Sequence, residues 1–240
     1  MINDTVFPGF SDEALKFFRG LERNNRREWF QPRKELFEEK VRGPMLQLVE
    51  AINLGLARFA PEHVTEPNKA VYRIYRDTRF SPDKTPYKTH IAASFWHRKH
   101  EKHACAGYYF SVSHKEVEVA GGVYMPGPEQ LLAIRQYLAE HSAEFQKSVN
   151  NRKLVALMEP LKGESLSRVP KGFRTDHPAA DLIRMKQWLF YTSLDPAVAT
   201  KPTLYGEVVE RFRAMQPVIE LLNRPLAHRT AKVVAADMIL

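Results

Sequence analysis

The sequence has a single cysteine, no hydrophobic run of membrane-spanning length and no glycine-rich nucleotide motif. With Cys105 alone an internal disulfide framework is excluded, and a reducing compartment fits. No apolar stretch approaches the roughly 20 residues that cross a bilayer. The opening MINDTVFPGF lacks the charged segment and apolar core of a signal peptide, so a cytoplasmic protein without a membrane partner is expected. Neither GxGxxG nor GxxxxGK[ST] occurs, and GxSxG and HExxH are missing too. That removes the phosphate cradle, the nucleophile elbow and the zinc-protease helix from consideration. Ser81 and Ser94 have no evident base beside them. There is no internal repeat and no low-complexity tract.

What is present is globular. Hydrophobic residues make up 44% of 240 residues, enough to bury a sizeable core in one domain. Residues 10–60 read as helical: Ser11 is a cap with Asp12 and Glu13 behind it, and Asn25 with Glu28 makes a near capping box. Pro32 and Pro44 suit first turns, and Met45, Val49, Ile52, Leu56 and Phe59 form an apolar stripe. Residues 71–125 change character. AVYRIYR, HIAASFW, GYYFSVS and EVEVAGGVYM are short and rich in β-branched and aromatic residues, which predicts a mainly antiparallel sheet with a tight hairpin at HK. Gly121-Gly122 marks a bulge or a close backbone approach. Helices return over 128–225, with Pro217 expected to kink the last, and 226–240 reads as a tail. The fold class is α+β, a central sheet flanked by N-terminal and C-terminal helices.

Charge is concentrated. The net charge is +8, and six Lys/Arg against two Asp/Glu fall between Lys69 and His90. In YRIYRDTRFSPDKTPYKTH, strand alternation puts Tyr72, Ile74 and Phe80 on one side and Arg73, Tyr75, Asp77 and Arg79 on the other. Pro82 and Pro86 stiffen two successive turns. Arginine, lysine and tyrosine on a stiff loop form a donor-rich surface suited to phosphate or carboxylate. A second basic stretch, RVPKGFRTDHP, carries Lys171, Arg174 and His177 before a helix start, with Asp176 or His177 as a plain cap in the simpler reading. HRKHEKHAC places His97, His100, His103 and Cys105 within nine residues, but without the paired spacings of a zinc site. It reads as a basic hairpin tip, and no metal is expected. In NNRREWF the aromatics enter the core and the arginines stay outside.

Four segments, FPGFSDEALKFFRGLERNNRREWF, YRIYRDTRFSPDKTPYKTH, AGGVYMPGPEQLLAIRQYL and RVPKGFRTDHPAADLIRMK, occur in order and together resemble the family catalogued as domain of unknown function 2461. The resemblance runs from about Phe7 to about Leu194. It implies a mostly bacterial family and carries over no catalytic residue and no cofactor. The residues themselves lead to an expected anionic small-molecule ligand, held where the 73–90 and 171–177 segments meet. Arg73, Arg76, Arg79, Lys84, Lys88, Lys171 and Arg174 would contact it, with Tyr87 as hydroxyl donor. Asp77 would orient the arginines, and His90 or His177 would move protons if hydrolase or transferase chemistry occurs. Two alternatives are a nucleic-acid-binding module and a non-catalytic scaffold whose charges pair among themselves.

Overall fold

The computed structural model describes residues 7–100 and 104–237, with side chains described as far as Leu226. Helix α1 (Asp12–Arg23) begins at Ser11, with Asp12 and Glu13 at the positive end of the dipole; the Ser11 hydroxyl makes no capping bond. Helix α2 (Arg27–Phe30), a 3-10 turn (Gln31–Arg33), helix α3 (Lys34–Phe37), a π-turn (Glu38–Arg42) and helix α4 (Gly43–Leu56) follow almost without a break. Pro32 and Pro44 sit in first turns, where a missing N–H breaks no helical bond. These short pieces wrap a knot of rings. Phe17 lies 5.7 Å from Phe18, 6.1 Å from Phe30 and 5.7 Å from Phe37, between centroids. After helix α5 (Pro67–Ala70) the chain enters the basic segment and then the sheet.

Strands β1 (His90–Trp96), β2 (Gly107–Ser113), β3 (Val117–Val123) and β4 (Trp188–Leu194) form an antiparallel sheet in the order β1-β2-β3-β4. Between β3 and β4 lie helices α6 (Pro128–Glu140), α7 (Ser142–Val149), α8 (Arg152–Leu157) and α9 (Ala180–Arg184). Helix α10 (Leu204–Asp237) ends the described chain.

Register decides which face each residue serves. Phe95 opposes Tyr108, which opposes Gly121, which opposes Phe190; Ala93, Phe110, Val119 and Thr192 form the next row. This face packs on α10. Phe212 meets Phe95 at 5.7 Å and Tyr108 at 4.8 Å between centroids. A Cβ on Gly121 would come within 2.8 Å of Met215 Sδ, so the missing side chain is what lets the helix settle. The alternate residues point the other way, and no helix covers them to the same depth.

Three asparagines tie the layers together in one manner, each pairing with both the N–H and the C=O of one distant residue. Asn25 holds Tyr87 (2.8 and 3.0 Å), Asn53 on α4 holds Thr65 (2.7 and 3.1 Å), and Asn223 on α10 holds Ala106 (2.8 and 3.0 Å). The sequence suggests Asn25 as a helix cap. The structure instead gives the N-cap position to Arg26 and uses Asn25 as a clamp.

The α+β class and the antiparallel sheet stand as expected, with differences in extent. Residues 71–89 are not a continuous strand; only the isolated bridges Val71–Ala93 and Tyr75–Tyr87 form. The alternation fails at Phe80, which is 93% exposed. A fourth strand comes from WLFYTSL, beyond the predicted sheet. Helix α10 continues through Pro217 and Pro225 to Asp237, into the stretch read as a tail.

Gly121-Gly122 is a close approach, since pairing from Gly121 to Val123 against Trp188 to Phe190 is unbroken. Gly122 has φ of +130°, and a Cβ there would lie 1.9 Å from the Trp188 carbonyl oxygen. Gly122→Ala is therefore expected to cost about 3 kcal/mol or more, combining backbone strain with displacement of β4. Urea denaturation checks this, and a loss below about 1 kcal/mol would contradict it.

Candidate functional site

The structure distributes the basic residues along loops and satisfies most of them locally. The Arg76 guanidinium donates to Asp83 and Thr85. Arg79 grips Asp77 through two bonds of 3.0 and 2.8 Å, and its guanidinium lies 5.7 Å from the centroid of the Phe80 ring. These partners hold both carboxyl groups well below the usual range, at about 2. The Lys84 ammonium donates to the Thr78 carbonyl at 2.9 Å, and that of Lys88 lies 5.0 Å above the Tyr72 ring. Arg73 is exposed, and its charge helps to lower Asp77. Arg174 grips Asp176 at 3.0 and 2.7 Å, Lys171 is exposed, and His177 Nδ1 accepts from Ala179 N just before α9.

Tyr87 does not join this surface. It is 1% exposed and stacks on Phe30 at 4.2 Å, so its ring is a core element. The two segments connect to opposite edges of the sheet. Residues 73–90 run beside β1, where Tyr72 N donates to Ala92 O and Lys88 N to Ile74 O. Residues 171–177 lead through α9 into β4, on the other edge. Three strand spacings, about 14 Å, separate those edges, and among the described residues no hydrogen bond or ion pair joins the two segments. His90 belongs elsewhere again: it opens β1 on the uncovered face. Burial and the charge of Lys88 lower its imidazole against the pull of Glu116.

The histidine-rich tip packs inward. His63, which follows the α4 segment, lies 5.4 Å from His97, and His97 lies 4.6 Å from His100, between ring centroids. They line a cleft of about 580 Å³ with Glu62, Glu220 and Arg224. His63 Nδ1 is 3.2 Å from the Phe95 carbonyl, and burial lowers its pKa from 6.5 to about 4. His103 lies outside the described residues. Among those described, no group of three or more His, Cys, Asp or Glu is arranged to hold a metal. Cys105 is buried, which pushes its thiol up and away from thiolate chemistry.

Another hollow lies on the uncovered face of the sheet. A cavity of about 470 Å³ opens there. Small residues lie on its floor: Gly107 on β2 opposes Gly122 on β3, and Ser94 on β1 and Ala120 on β3 flank Tyr109 in the next row. Its walls are aromatic, with Tyr72, Trp96, Tyr109, Tyr124 and Tyr191 around the rim. The Ser94 hydroxyl donates to Tyr72 OH at 3.0 Å, holding that ring over the sheet. Burial raises Tyr109 to about 12, so it is a neutral donor.

One carboxylate enters this cavity. Glu118 lies between Ser111 and Ser193 in register and is half-buried. Among the described residues it has no ion-pair partner. Burial first and the neighbouring Glu116 second push its carboxyl up. Sequence reasoning missed Glu118, which looks like an ordinary solvent-facing residue of a hairpin. The available signal was the run of small residues at alternate strand positions, which predicts a depression wherever neighbouring strands repeat it.

These features define an α+β protein whose antiparallel sheet is packed by helices on one face and hollowed on the other. The chain belongs to the family described as conserved hypothetical protein (DUF2461), whose model matches residues 13–221. No curated protein and no solved structure matches it. Among the described residues, no helix is long and apolar enough to cross a membrane.

The buried His63 makes stability depend on pH. As pH falls below 6.5 the unfolded chain takes up a proton that the native state refuses until about 4, so stability falls across that window. The loss from this group amounts to up to about 3 kcal/mol. Urea midpoints from pH 7 to pH 4 should drop less steeply in His63→Phe than in the parent protein. Equal slopes would remove His63 as the cause.

Proposed function

We propose that the protein binds a small organic molecule in the hollow on the uncovered face of its sheet. The supporting observation is Glu118, a half-buried carboxylate with no ion-pair partner among the described residues, set in an aromatic-walled cavity of ligand size. Ligand sites are largely apolar concavities of roughly 300–1,000 Å³ with a few convergent polar groups, and perturbed carboxyl groups concentrate in them. Here Glu118 and the hydroxyls of Ser94, Tyr72 and Tyr109 supply the polar groups. The tyrosine and tryptophan rings supply flat surfaces for an aromatic or aliphatic body. Arg76 and Arg79 are bound to Asp83 and Asp77 within their own segment, so the basic loop gives less support to an anion pocket than its charge count suggests.

A fragment screen followed by protein NMR tests the reading. Aromatic fragments should shift resonances of Ala120, Ser94 and Glu118. Ala120→Trp, which fills the floor of a partly open trough, should weaken them by at least about tenfold with the fold intact by circular dichroism. Fragments that bind Ala120→Trp as well as the parent protein would place the site elsewhere.

A further inference from the structure

Building on that reading of the hollow, we infer that its ligand is a cation: a protonated or quaternary amine on an aromatic or aliphatic body, with its charge against Glu118 and the tyrosine faces. Four observations converge on this charge.

Glu118 is the carboxylate lining the cavity, and no cation of the protein answers it among the described residues. A neutral ligand would leave it desolvated and unmatched, which is costly for a carboxylate. Glu116 adds a second negative charge nearby, and its Oε2 already accepts from Ser193 at 2.6 Å. An anionic ligand would meet both acids.

The rim cations are directed to other groups. Lys162 donates to Glu159 and to the Tyr191 hydroxyl, both at 2.6 Å. Its ammonium also lies 4.5 Å from the Tyr191 ring centroid, as that of Lys88 lies 5.0 Å from Tyr72. The Tyr72 ring thus already holds an ammonium at cation–π distance, the recognition mode inferred here, while Lys162 meets Tyr191 through its hydroxyl. The net charge of +8 makes the far field repel a cation, so the preference is local, built from one carboxylate and several π faces at short range.

Tyramine and its neutral analogue 4-propylphenol separate the alternatives, titrated by calorimetry into the full-length protein, Glu118→Gln and Ala120→Trp. Tyramine should bind the parent protein at least about tenfold more tightly than 4-propylphenol. Glu118→Gln should bring the ratio close to one by weakening tyramine alone, and Ala120→Trp should weaken both. Equal affinities for the two probes in the parent protein overturn the cation inference while leaving the hollow as a site; this comparison needs no variant to fold. A ratio unchanged in folded Glu118→Gln overturns it as well. Failure of both probes to bind the parent protein, or undiminished binding of both to Ala120→Trp, removes the hollow as the site and the inference with it.

Discussion

The packing of α10 on one face of the sheet is the constraint from which the rest follows. A four-stranded sheet has two faces, and the long helix buries one of them deeply, with Phe212 against Phe95 and Tyr108 and Met215 over Gly121. Burying one aromatic or aliphatic side chain stabilises by roughly 1.5–3 kcal/mol, and this interface buries several of them. Strand alternation then sends Ser94, Tyr109, Glu118, Ala120 and Tyr191 to the other side whatever their own preferences. The hollow is thus a consequence of committing the helix to one face and furnishing the other with a small-residue floor.

The asparagine clamps explain how segments without regular structure stay in place around that sandwich. A loop entering the protein leaves its backbone N–H and C=O groups in need of partners. A carboxamide offers one donor and one acceptor in the geometry of a neighbouring strand, so Asn25, Asn53 and Asn223 each act as a single residue of β-partner. The clamp at Tyr87 positions the basic segment from the N-terminal helices. The clamp at Ala106 brings the hairpin tip onto α10. Both frame the sheet without adding strands.

How much of this was legible depends on the range of the signal. HIAASFW, GYYFSVS and EVEVAGGVYM declare themselves as strands through local composition, and Pro44 and Pro128 declare helix starts through fixed φ. WLFYTSL has the same composition, with Trp188 and Phe190 buried, but it follows α9 so closely that it merges with a helical reading. AVYRIYR looks like a strand and is not one, because after Tyr75 the prolines and ion pairs turn the chain into loops. The clamps could not be read at all: an asparagine's partner 62 or 117 residues away leaves no local pattern.

The charge pattern makes the same point about function. Counting cations against acids between Lys69 and His90 gives a surplus, yet counting ignores geometry. Asp77 and Asp83 each sit where a turn delivers them to an arginine, and the arginines' directional donors are used on them. The lysines turn to a carbonyl and a ring. A large surplus spread over an exposed loop is screened by salt within about 10 Å, and surface pairs of this kind contribute little. A half-buried carboxylate with no ion-pair partner among the described residues is the stronger signal, because its partial desolvation raises its carboxyl and its charge is screened less than that of an exposed loop. Glu118 is a single acid in a basic protein, and it is burial that gives it more weight than the six cations.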